Sequence, residues 1–364
     1  MEFQVCQHRG GLHNTLRAIE NKCLTVGYIG GSITDPRGFC NWPMYITSWL
    51  VEHYPDVLIR EENCGIGATG SDLGVFRAER DLISRGCDLV FVEFAVNDAE
   101  TDEEQRMRSR EGLIRKLLAE KRDVVLVYTF YPKMYDDVIH NRIPKSILDF
   151  DRLGEYYQLG TAWSGLQAIN EIKRGWMSWH EWVPDGVHPG HRGSLCYAQA
   201  VIDYLQYELI DHPGAPEIPA GDSLPTPLNP KNWEKTEMIP LENTRREGPF
   251  SIQRYANQQW IDRVLYTAAP GARVSFDFEG RGLCLGFSFG LYSAVFQCRV
   301  DGGEYFIKGQ DRAEWVPPDS WFTNIVMADD LPYGKHSFEL TVQFGNAPAC
   351  MGTDFRLVYI GVLK

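Results

Sequence analysis

Residues 1–212 of this chain alternate short, uninterrupted apolar runs with segments in which apolar residues recur at helical spacing. Apolar runs without polar alternation are typical of strands that are covered on both faces, as in a parallel sheet. Strands that alternate with helices predict a doubly wound α/β sheet, which binds ligands at the carboxyl ends of its strands. The predicted strands are Leu24–Ile29, Val57–Arg60, Leu89–Phe94 and Val124–Phe130.

Two further segments carry helix signals. The run Thr101-Asp-Glu-Glu104 predicts a capping box, and apolar residues then follow at helical spacing. A second apolar stripe is expected in a helix that begins at His191. The two stripes are Met107, Ile114, Leu117 and Leu118, and Leu195, Ala198, Ile202, Leu205 and Leu209.

The pattern changes after residue 212, and a chain of 364 residues is long enough for two domains. Residues 213–232 are rich in Pro, Gly, Ala and Ser and predict an extended linker. Residues 233–364 contain runs of β-formers separated by turns, which predicts a jelly-roll-like β-sandwich. The clearest runs are Arg273–Phe278, Leu283–Phe289, Val295–Val300, Ser337–Gln343 and Phe355–Ile360.

Composition disfavours several classes of partner. A formal net charge of -13 argues against nucleic acid and anionic membrane surfaces, because both are bound through clustered Lys and Arg. No apolar run reaches the length of a membrane span, and the first residues do not have the pattern of a signal peptide. The 9 cysteines are scattered and never spaced as Cys-x-x-Cys, so we expect reduced thiols and a cytoplasmic protein. The sequence leaves open whether the chain forms a homo-oligomer.

Residues suited to acyl transfer occur at two distant points of the chain. Ser32 ends an apolar run that stops in Gly30 and Gly31, and a serine hydroxyl is a poor nucleophile until a base takes its proton. Asp185 precedes His188 closely enough for the carboxylate to hold one imidazole nitrogen, which leaves the other free as a base. These side chains are therefore candidates for a nucleophile, a base and an orienting acid.

Gly67 and Asn97 are candidate donors to an oxyanion. Ser32, Gly67 and Asn97 each follow a predicted strand, so the carboxyl edge of the sheet should bring them together. Amide groups can stabilise the negative charge that grows on a carbonyl oxygen during acyl transfer.

Each motif has another interpretation when it is taken alone. Gly30-Gly31-Ser32 is compatible with an ordinary tight turn, and it matches neither nucleotide-binding glycine loops nor the Gly-x-Ser-x-Gly elbow. The run from Asp185 to His188 also suits a surface loop. His188 and His191 have the spacing of two metal ligands, but no third His or Cys follows at a suitable distance, so no metal is expected.

Taken together and in this order, the motifs resemble those of the SGNH hydrolases, the GDSL-like esterase and lipase superfamily. The matching segments all lie in the first predicted domain: Gly30–Thr34, Asn63–Gly67, Val96–Asp98 and Asp185–Pro189. The resemblance implies a flavodoxin-like, three-layer α/β/α fold and ester hydrolysis without a metal or organic cofactor. It implies that Ser32 is the nucleophile, His188 the base and Asp185 its orienting acid. The oxyanion hole would then consist of the Ser32 and Gly67 backbone amides and the Asn97 side chain.

Two positions depart from the usual pattern of these motifs. Gly31 stands where an Asp usually precedes the serine, and Ala95 stands where the third motif usually has Gly. Neither residue makes or breaks bonds, so we expect altered loop packing rather than lost activity. In the second motif, Gly65 and Gly70 compete with Gly67, which the spacing within the motif favours.

Aromatic residues provide the clues to the substrate. Trp179 and Trp182 precede the predicted base, where they could stack on sugar rings or simply pack the loop. No long apolar lid is visible for a fatty acyl chain, so a short acyl group such as acetyl is expected. A hydrolase of this kind with an attached β-sandwich resembles carbohydrate esterases. Trp315 or Trp321 of the sandwich could bind glycan, with packing as the alternative.

We therefore expect a serine esterase that acts on short-chain, acetyl esters of a small molecule or an oligosaccharide. A lysophospholipase-like or general carboxylesterase and a non-catalytic carbohydrate-binding protein are the alternatives. A histidine base also predicts that activity falls in mild acid, because a protonated imidazole cannot accept a proton.

Overall fold

The structure is a computed structural model and describes residues 3–37, 41–214, 224–258, 260–308, 316–346 and 350–364. The chain divides into two compact units, Met1–Glu234 and Lys235–Lys364.

The first unit is built on one mainly parallel sheet. Its strands β1 to β6 are Cys6–Gln7, Cys23–Gly30, Leu58–Asn63, Leu89–Glu93, Asp123–Val127 and Gly160–Ala162. Strands β2 to β6 are parallel in the order β3-β2-β4-β5-β6, and β1 pairs antiparallel with β6. This is the flavodoxin-like order, in which the direction of winding reverses between β2 and β4. Ligands bind such sheets at this reversal, outside the carboxyl ends of the strands.

Helices form two groups around this sheet. Helices α1 to α9 are His13–Glu20, Trp42–His53, Ser71–Ala78, Glu103–Ala119, Tyr135–Ile139, Lys145–Tyr156, Ser164–Lys173, Trp179–Trp182 and His191–Gln206. One group contains α2, α7, α8 and α9, and the other contains α3, α4 and α6. Strands β2, β4 and β5 are almost completely buried, as expected for strands covered on both faces. The predicted three-layer α/β/α fold is confirmed.

The helix signals are borne out in part. Helix α4 is capped by Asp102, whose side chain accepts hydrogen bonds from two backbone amides, so the predicted capping box at Thr101 is wrong. Helix α9 begins at His191 as predicted. Its predicted stripe is partly wrong, because Tyr197 and Tyr204 occupy the buried face while Leu195 is exposed.

The described end of the predicted linker is anchored to α4. The backbone amides of Leu228 and Asn229 donate to the Glu111 carboxylate at 2.6 and 2.8 Å. Arg115 donates to the carbonyl oxygen of Pro225 at 2.7 Å. Glu111 and Arg115 are buried, and buried charges require such partners. Residues 224–234 therefore form part of the first unit and differ from the extended linker expected there.

The second unit is a sandwich of two antiparallel sheets. Its strands β7 to β17 are Thr236–Ile239, Arg245–Glu247, Ser251–Arg254, Arg263–Thr267, Arg273–Gly280, Gly282–Phe289, Val295–Val300, Phe306–Lys308, Trp321–Ala328, Gly334–Gln343 and Phe355–Leu363. One sheet has the order β15-β12-β17-β10-β9, with β7 also paired to β17, and the other has the order β14-β13-β16-β11-β8. Both sheets contribute to a single core rich in phenylalanine. The predicted β-sandwich is confirmed.

The structure describes one of the two tryptophans proposed for glycan binding by the sandwich. Trp315 lies outside the described residues, whereas Trp321 begins β15 and is half-buried. In the described parts of the chain, no helix is both long enough and apolar enough to cross a bilayer.

Candidate active site

The structure brings Ser32, Asp185 and His188 together at the carboxyl edge of the first unit's sheet. His188 Nε2 lies 2.8 Å from Ser32 Oγ, and His188 Nδ1 lies 2.7 Å from Asp185 Oδ2. The two ring nitrogens therefore join the hydroxyl to the carboxylate in one chain of hydrogen bonds. Ser32 follows β2, which borders the reversal of the sheet.

The loop between α8 and α9 fixes the acid and the base. Asp185 Oδ1 accepts hydrogen bonds from the backbone amides of Val187 at 2.9 Å and His188 at 2.7 Å. Gly186 between them has φ +90, a left-handed conformation that favours glycine. Burial alone would raise the pKa of Asp185, but the Val187 amide and the ring and amide of His188 hold that pKa below its ordinary value. The carboxylate is therefore ionised at neutral pH and can stabilise a protonated ring.

The turn that carries Ser32 is closed by its own backbone. The amides of Thr34 and Asp35 donate to the carbonyl oxygen of Gly31 at 3.1 and 3.0 Å. A Cβ atom built on Gly31 would lie 1.8 Å from Asn97 Oδ1. The departure from the usual Asp at this position therefore provides the space that the Asn97 side chain occupies beside Ser32.

Asn97 is held next to this turn by the residue that follows it. The Asp98 carboxylate accepts from the Ser71 amide at 2.9 Å and from Arg110 Nε at 2.8 Å. Arg110 is completely buried. No hydrogen bond joins the Ser32 amide or the Asn97 side chain to another described residue. Both groups are therefore available to a ligand.

Gly67 differs from the other two predicted oxyanion donors. Its backbone amide donates to Asp35 Oδ2 at 3.0 Å, and Asp35 is also paired with Arg37. Gly67 can serve an oxyanion only by sharing this bond or leaving it.

Sequence reasoning missed Glu93, a completely buried acid at the end of β4. It binds the hydroxyls of Thr34 and Thr129 and the backbone amide of Gly31. Burial raises the pKa of Glu93 to about 7, against the effect of these hydrogen bonds. The signal in the sequence is one charged residue in an otherwise apolar predicted strand.

Two pockets adjoin the loop that carries the acid and the base. A pocket of about 440 Å³ contains the candidate nucleophile, and one of about 390 Å³ is mainly aromatic. The first is lined by Ser32, Ile33, Asn41, Pro184, Asp185, His188, Pro189 and Ser194. The second is lined by Phe130, Pro132, Tyr135, Trp179, His180, Val183 and Gly186.

The two tryptophans predicted to contact substrate have different environments. Trp179 lines the aromatic pocket and is 38% exposed, with Tyr135 edge-on at 5.2 Å between ring centroids. Trp182 is 0% exposed. A completely buried ring cannot stack on a sugar, so the predicted substrate contact is wrong for Trp182, which packs the loop instead. The described residues contain no group of three His, Cys, Asp or Glu side chains that could hold a metal ion.

Solved structures similar to this one include a two-domain esterase. A two-domain esterase (CEX) active on acetylated mannans, co-crystallised with mannopentaose, aligns with a TM-score of 0.82 at 23% identity over 98% of this chain and 95% of its own. A second structure of that esterase aligns with a TM-score of 0.81 at 23% identity over 98% and 96% of the two chains. The chain shares this two-domain fold. This similarity confirms the fold expected for the first domain together with the β-sandwich predicted for the second.

Other comparisons add less. Axe2, an acetylxylan esterase from Geobacillus stearothermophilus, aligns at 20% identity with a TM-score of 0.43 over 50% of this chain and 94% of its own. No protein-family profile matches the sequence, and no curated protein sequence matches it.

Proposed function

We propose that this protein is a serine esterase that removes acetyl groups from carbohydrates. The observation that carries the proposal is the chain of hydrogen bonds from Ser32 Oγ through His188 to Asp185. A serine, a histidine and a carboxylate in this arrangement recur on unrelated folds as the machinery of acyl transfer.

Each group has a definite part in the proposed reaction. His188 Nε2 takes the proton of Ser32 as Oγ attacks the ester carbonyl, and Asp185 stabilises the imidazolium. Collapse of the tetrahedral intermediate breaks the ester bond, and the departing sugar oxygen takes the proton from His188 and leaves as a hydroxyl. Water then attacks the acetyl-serine while His188 accepts its proton. Collapse of the second intermediate breaks the bond to Ser32 Oγ, which takes the proton back from His188, and acetate is released.

The negative charge on the carbonyl oxygen requires donors beside Ser32. The Ser32 backbone amide and the Asn97 side chain fit this role, since neither bonds to another described residue. Each such donor can lower the barrier by about 3–4 kcal/mol. The Gly67 amide would join them only on release from Asp35, to which it is bonded at 3.0 Å.

Two observations support a carbohydrate ester as the substrate. The aromatic pocket exposes Trp179 and Tyr135, whose faces suit the apolar face of a sugar ring. Its lining also includes Gly186, the neighbour of Asp185, so a sugar bound there would be close to the ester. The protein with the same two-domain fold is described as active on acetylated mannans.

Acetate release from acetylated manno- and xylo-oligosaccharides tests the proposal. Wild-type protein should release acetate, and Ser32→Ala and His188→Ala should reduce the rate by about 10⁴-fold or more while their circular dichroism spectra stay unchanged. Turnover by Ser32→Ala at the wild-type rate would overturn the proposal. Hydrolysis of p-nitrophenyl decanoate faster than the acetate would instead favour a general carboxylesterase or a lysophospholipase.

We further propose that the protein works in the cytoplasm. Cys87, Cys196 and Cys298 are buried as free thiols, which suits a reducing compartment. Burial raises the pKa of the Cys87 thiol to about 12, so very little reactive thiolate forms there. Cell fractionation tests this: recovery with a cytosolic marker is expected, and recovery from the medium would contradict it.

A further inference from the structure

The carboxylate of Glu93 adjoins the turn that carries Ser32. Its Oε2 accepts a hydrogen bond from Thr34 Oγ1 at 2.9 Å, and its Oε1 accepts one from Thr129 Oγ1 at 2.6 Å. The backbone amide of Gly31 donates to the same carboxylate. Gly31 and Thr34 stand on either side of Ser32 in the chain, so two of these three bonds hold the turn around the candidate nucleophile.

The hydroxyl of Thr34 has a second buried partner. Trp42 Nε1 donates to Thr34 Oγ1 at 3.3 Å, and an indole nitrogen can only donate. The Thr34 hydroxyl, which donates to Glu93, therefore also accepts from Trp42. Both side chains are completely buried, so water does not compete for this bond.

The turn comes this close to the acid because two of its positions lack side chains. A Cβ atom on Gly30 would lie 2.8 Å from Glu93 Oε2 and 2.6 Å from the Glu93 carbonyl oxygen. Gly31 binds the carboxylate through its amide and leaves room for Asn97. The contacts that fix the turn therefore also leave Asn97 beside it.

A completely buried carboxyl group is costly to a fold, and an apolar side chain would fill the same space at less cost. Its hydrogen bonds offset that cost, and two of their donors belong to the turn that carries Ser32. Removal of the acid would therefore release the backbone on both sides of this residue.

We propose that Glu93 is a positioning residue, which fixes Ser32 Oγ within reach of His188 Nε2. This rests on the proposed esterase function. Placement matters because a displacement of about 1 Å can lower a rate about 10²-fold. Glu93 lines neither of the two pockets beside the loop, so kcat should depend on it while KM should not.

The variants Thr34→Val and Thr15→Val form a matched test. Both threonines are completely buried, and each donates its hydroxyl to a buried carboxylate. Thr15 bonds to Asp123 at 2.8 Å, and Asp123 begins β5, so this pair lies at the opposite edge of the sheet. With p-nitrophenyl acetate, Thr34→Val should lower kcat about 10-fold or more and leave KM within about twofold. Thr15→Val should keep the wild-type kcat.

Two substitutions of the acid itself complete the test. Glu93→Gln keeps one oxygen acceptor and Glu93→Ala keeps none, so kcat should fall in the order wild type, Gln, Ala. If the alanine variant does not fold, the glutamine variant and the threonine pair decide the outcome.

Different results would overturn the positioning role of Glu93 and the proposed esterase function. Equal kcat values for Thr34→Val and Thr15→Val would overturn the positioning role while the esterase function stands. Undiminished turnover in Ser32→Ala would overturn the esterase function and this inference with it.

Discussion

Asn97 and Gly31 share one small space beside Ser32, and each constrains the other. Any side chain at position 31 would collide with the Asn97 carboxamide. That carboxamide bonds to no other described residue, which suits a donor reserved for the oxyanion. The pair therefore links a departure from the common motif to the chemistry proposed here.

Substitution of either residue should lower kcat more than it changes KM. Asn97→Ala removes a donor to the oxyanion and should reduce kcat by about 10²–10³-fold. Gly31→Ala should reduce kcat as well, because its methyl group displaces Asn97 from Ser32. Steady-state kinetics with p-nitrophenyl acetate measures both effects. A wild-type kcat in Asn97→Ala would remove this residue from the oxyanion hole.

The buried acid Glu93 should make stability depend on pH. Its pKa rises from 4.5 to about 7 on folding, because burial outweighs its hydrogen bonds and the charge of Asp98 acts in the same direction as burial. Between pH 4.5 and about 7, the folded protein therefore binds a proton that the unfolded chain has released. This proton stabilises the fold at low pH, and the stabilisation is lost as pH rises through about 7. Tyr197 also faces Glu93, and its own pKa is raised above its ordinary range, so it does not titrate here.

Urea unfolding of wild type and Glu93→Gln at pH 5 and pH 8 measures this dependence. The wild type should lose about 2–3 kcal/mol relative to the variant between the two pH values. The other titratable groups are present in both proteins, so their contributions to the pH dependence cancel in the difference between wild type and variant. A difference that does not change with pH would contradict the raised pKa.

At this scale the sequence predicts the groups whose spacing is itself the signal. Asp185 and His188 are close in the chain, and Ser32 follows a recognisable strand. The bond from Gly67 to Asp35 and the contact between Gly31 and Asn97 join residues of different loops, so no pattern along the chain could reveal them. The sequence signal for Glu93 is weak, because it consists of a single acid in an otherwise apolar predicted strand.

At the scale of elements, helix α4 fixes the loop after β4 through a buried ion pair. Arg110 Nε donates to Asp98 at 2.8 Å, and both residues are buried. The guanidinium also bonds to the carbonyl oxygens of Ser146 at 2.7 Å and Phe94 at 3.1 Å. The helix therefore ties the end of β4, and with it Asn97, to the body of the sheet.

Loss of the arginine should destabilise the fold strongly. Arg110→Met leaves the Asp98 carboxylate buried without its ionic partner, which should cost about 3–5 kcal/mol. Lys133→Met is the matched control, because Lys133 pairs with Glu100 at the surface, where an ion pair contributes about 0–1 kcal/mol. Urea unfolding compares the two. Equal losses of unfolding free energy would show that the buried ion pair stabilises the fold no more than the surface pair does.

Elements were predictable where burial on both faces leaves an uninterrupted apolar run. Strands β2 and β4 agree with their predictions to within one or two residues for this reason. Strands β1 and β6 are 2 and 3 residues long, too short to produce a pattern. The predicted stripe of α9 is partly wrong because tyrosine, an amphipathic residue, provides much of the buried face.

At the scale of the whole molecule, the boundary between the two units falls at Glu234, beyond the predicted linker. Trp233 is completely buried in the first unit, and its amide donates to the carbonyl oxygen of Arg108 at 3.0 Å. Glu234 pairs with Arg115. Composition predicts an extended linker because it reflects the residue types of the segment and not the contacts that individual residues make.

Two truncated chains should therefore behave differently. Residues 1–234 keep Trp233 and the partners of Glu111 and Arg115, so this fragment should unfold cooperatively and hydrolyse p-nitrophenyl acetate. Residues 1–212 lose a buried tryptophan, which alone should cost about 3–5 kcal/mol, and leave buried charges unpaired. Thermal unfolding followed by circular dichroism measures the difference. A fragment of residues 1–212 as stable as the longer one would contradict the anchoring.

The fold as a whole was within reach of the sequence, because its two halves have different periodicity and its motifs occur in a recognisable order. The sequence alone does not identify the substrate, because aromatic residues near the loop serve both packing and binding. The structure separates these roles for Trp182, which is buried, and Trp179, which lines a pocket.

In the proposed mechanism His188 activates the hydroxyl of Ser32. Reaction with a fluorophosphonate, followed by peptide mass spectrometry, tests it most directly, since such probes react with serines that a base has activated. We expect one modified residue, Ser32, at neutral pH, with labelling lost in His188→Ala. An unlabelled Ser32 in folded wild-type protein, or equal labelling in the histidine variant, would contradict it.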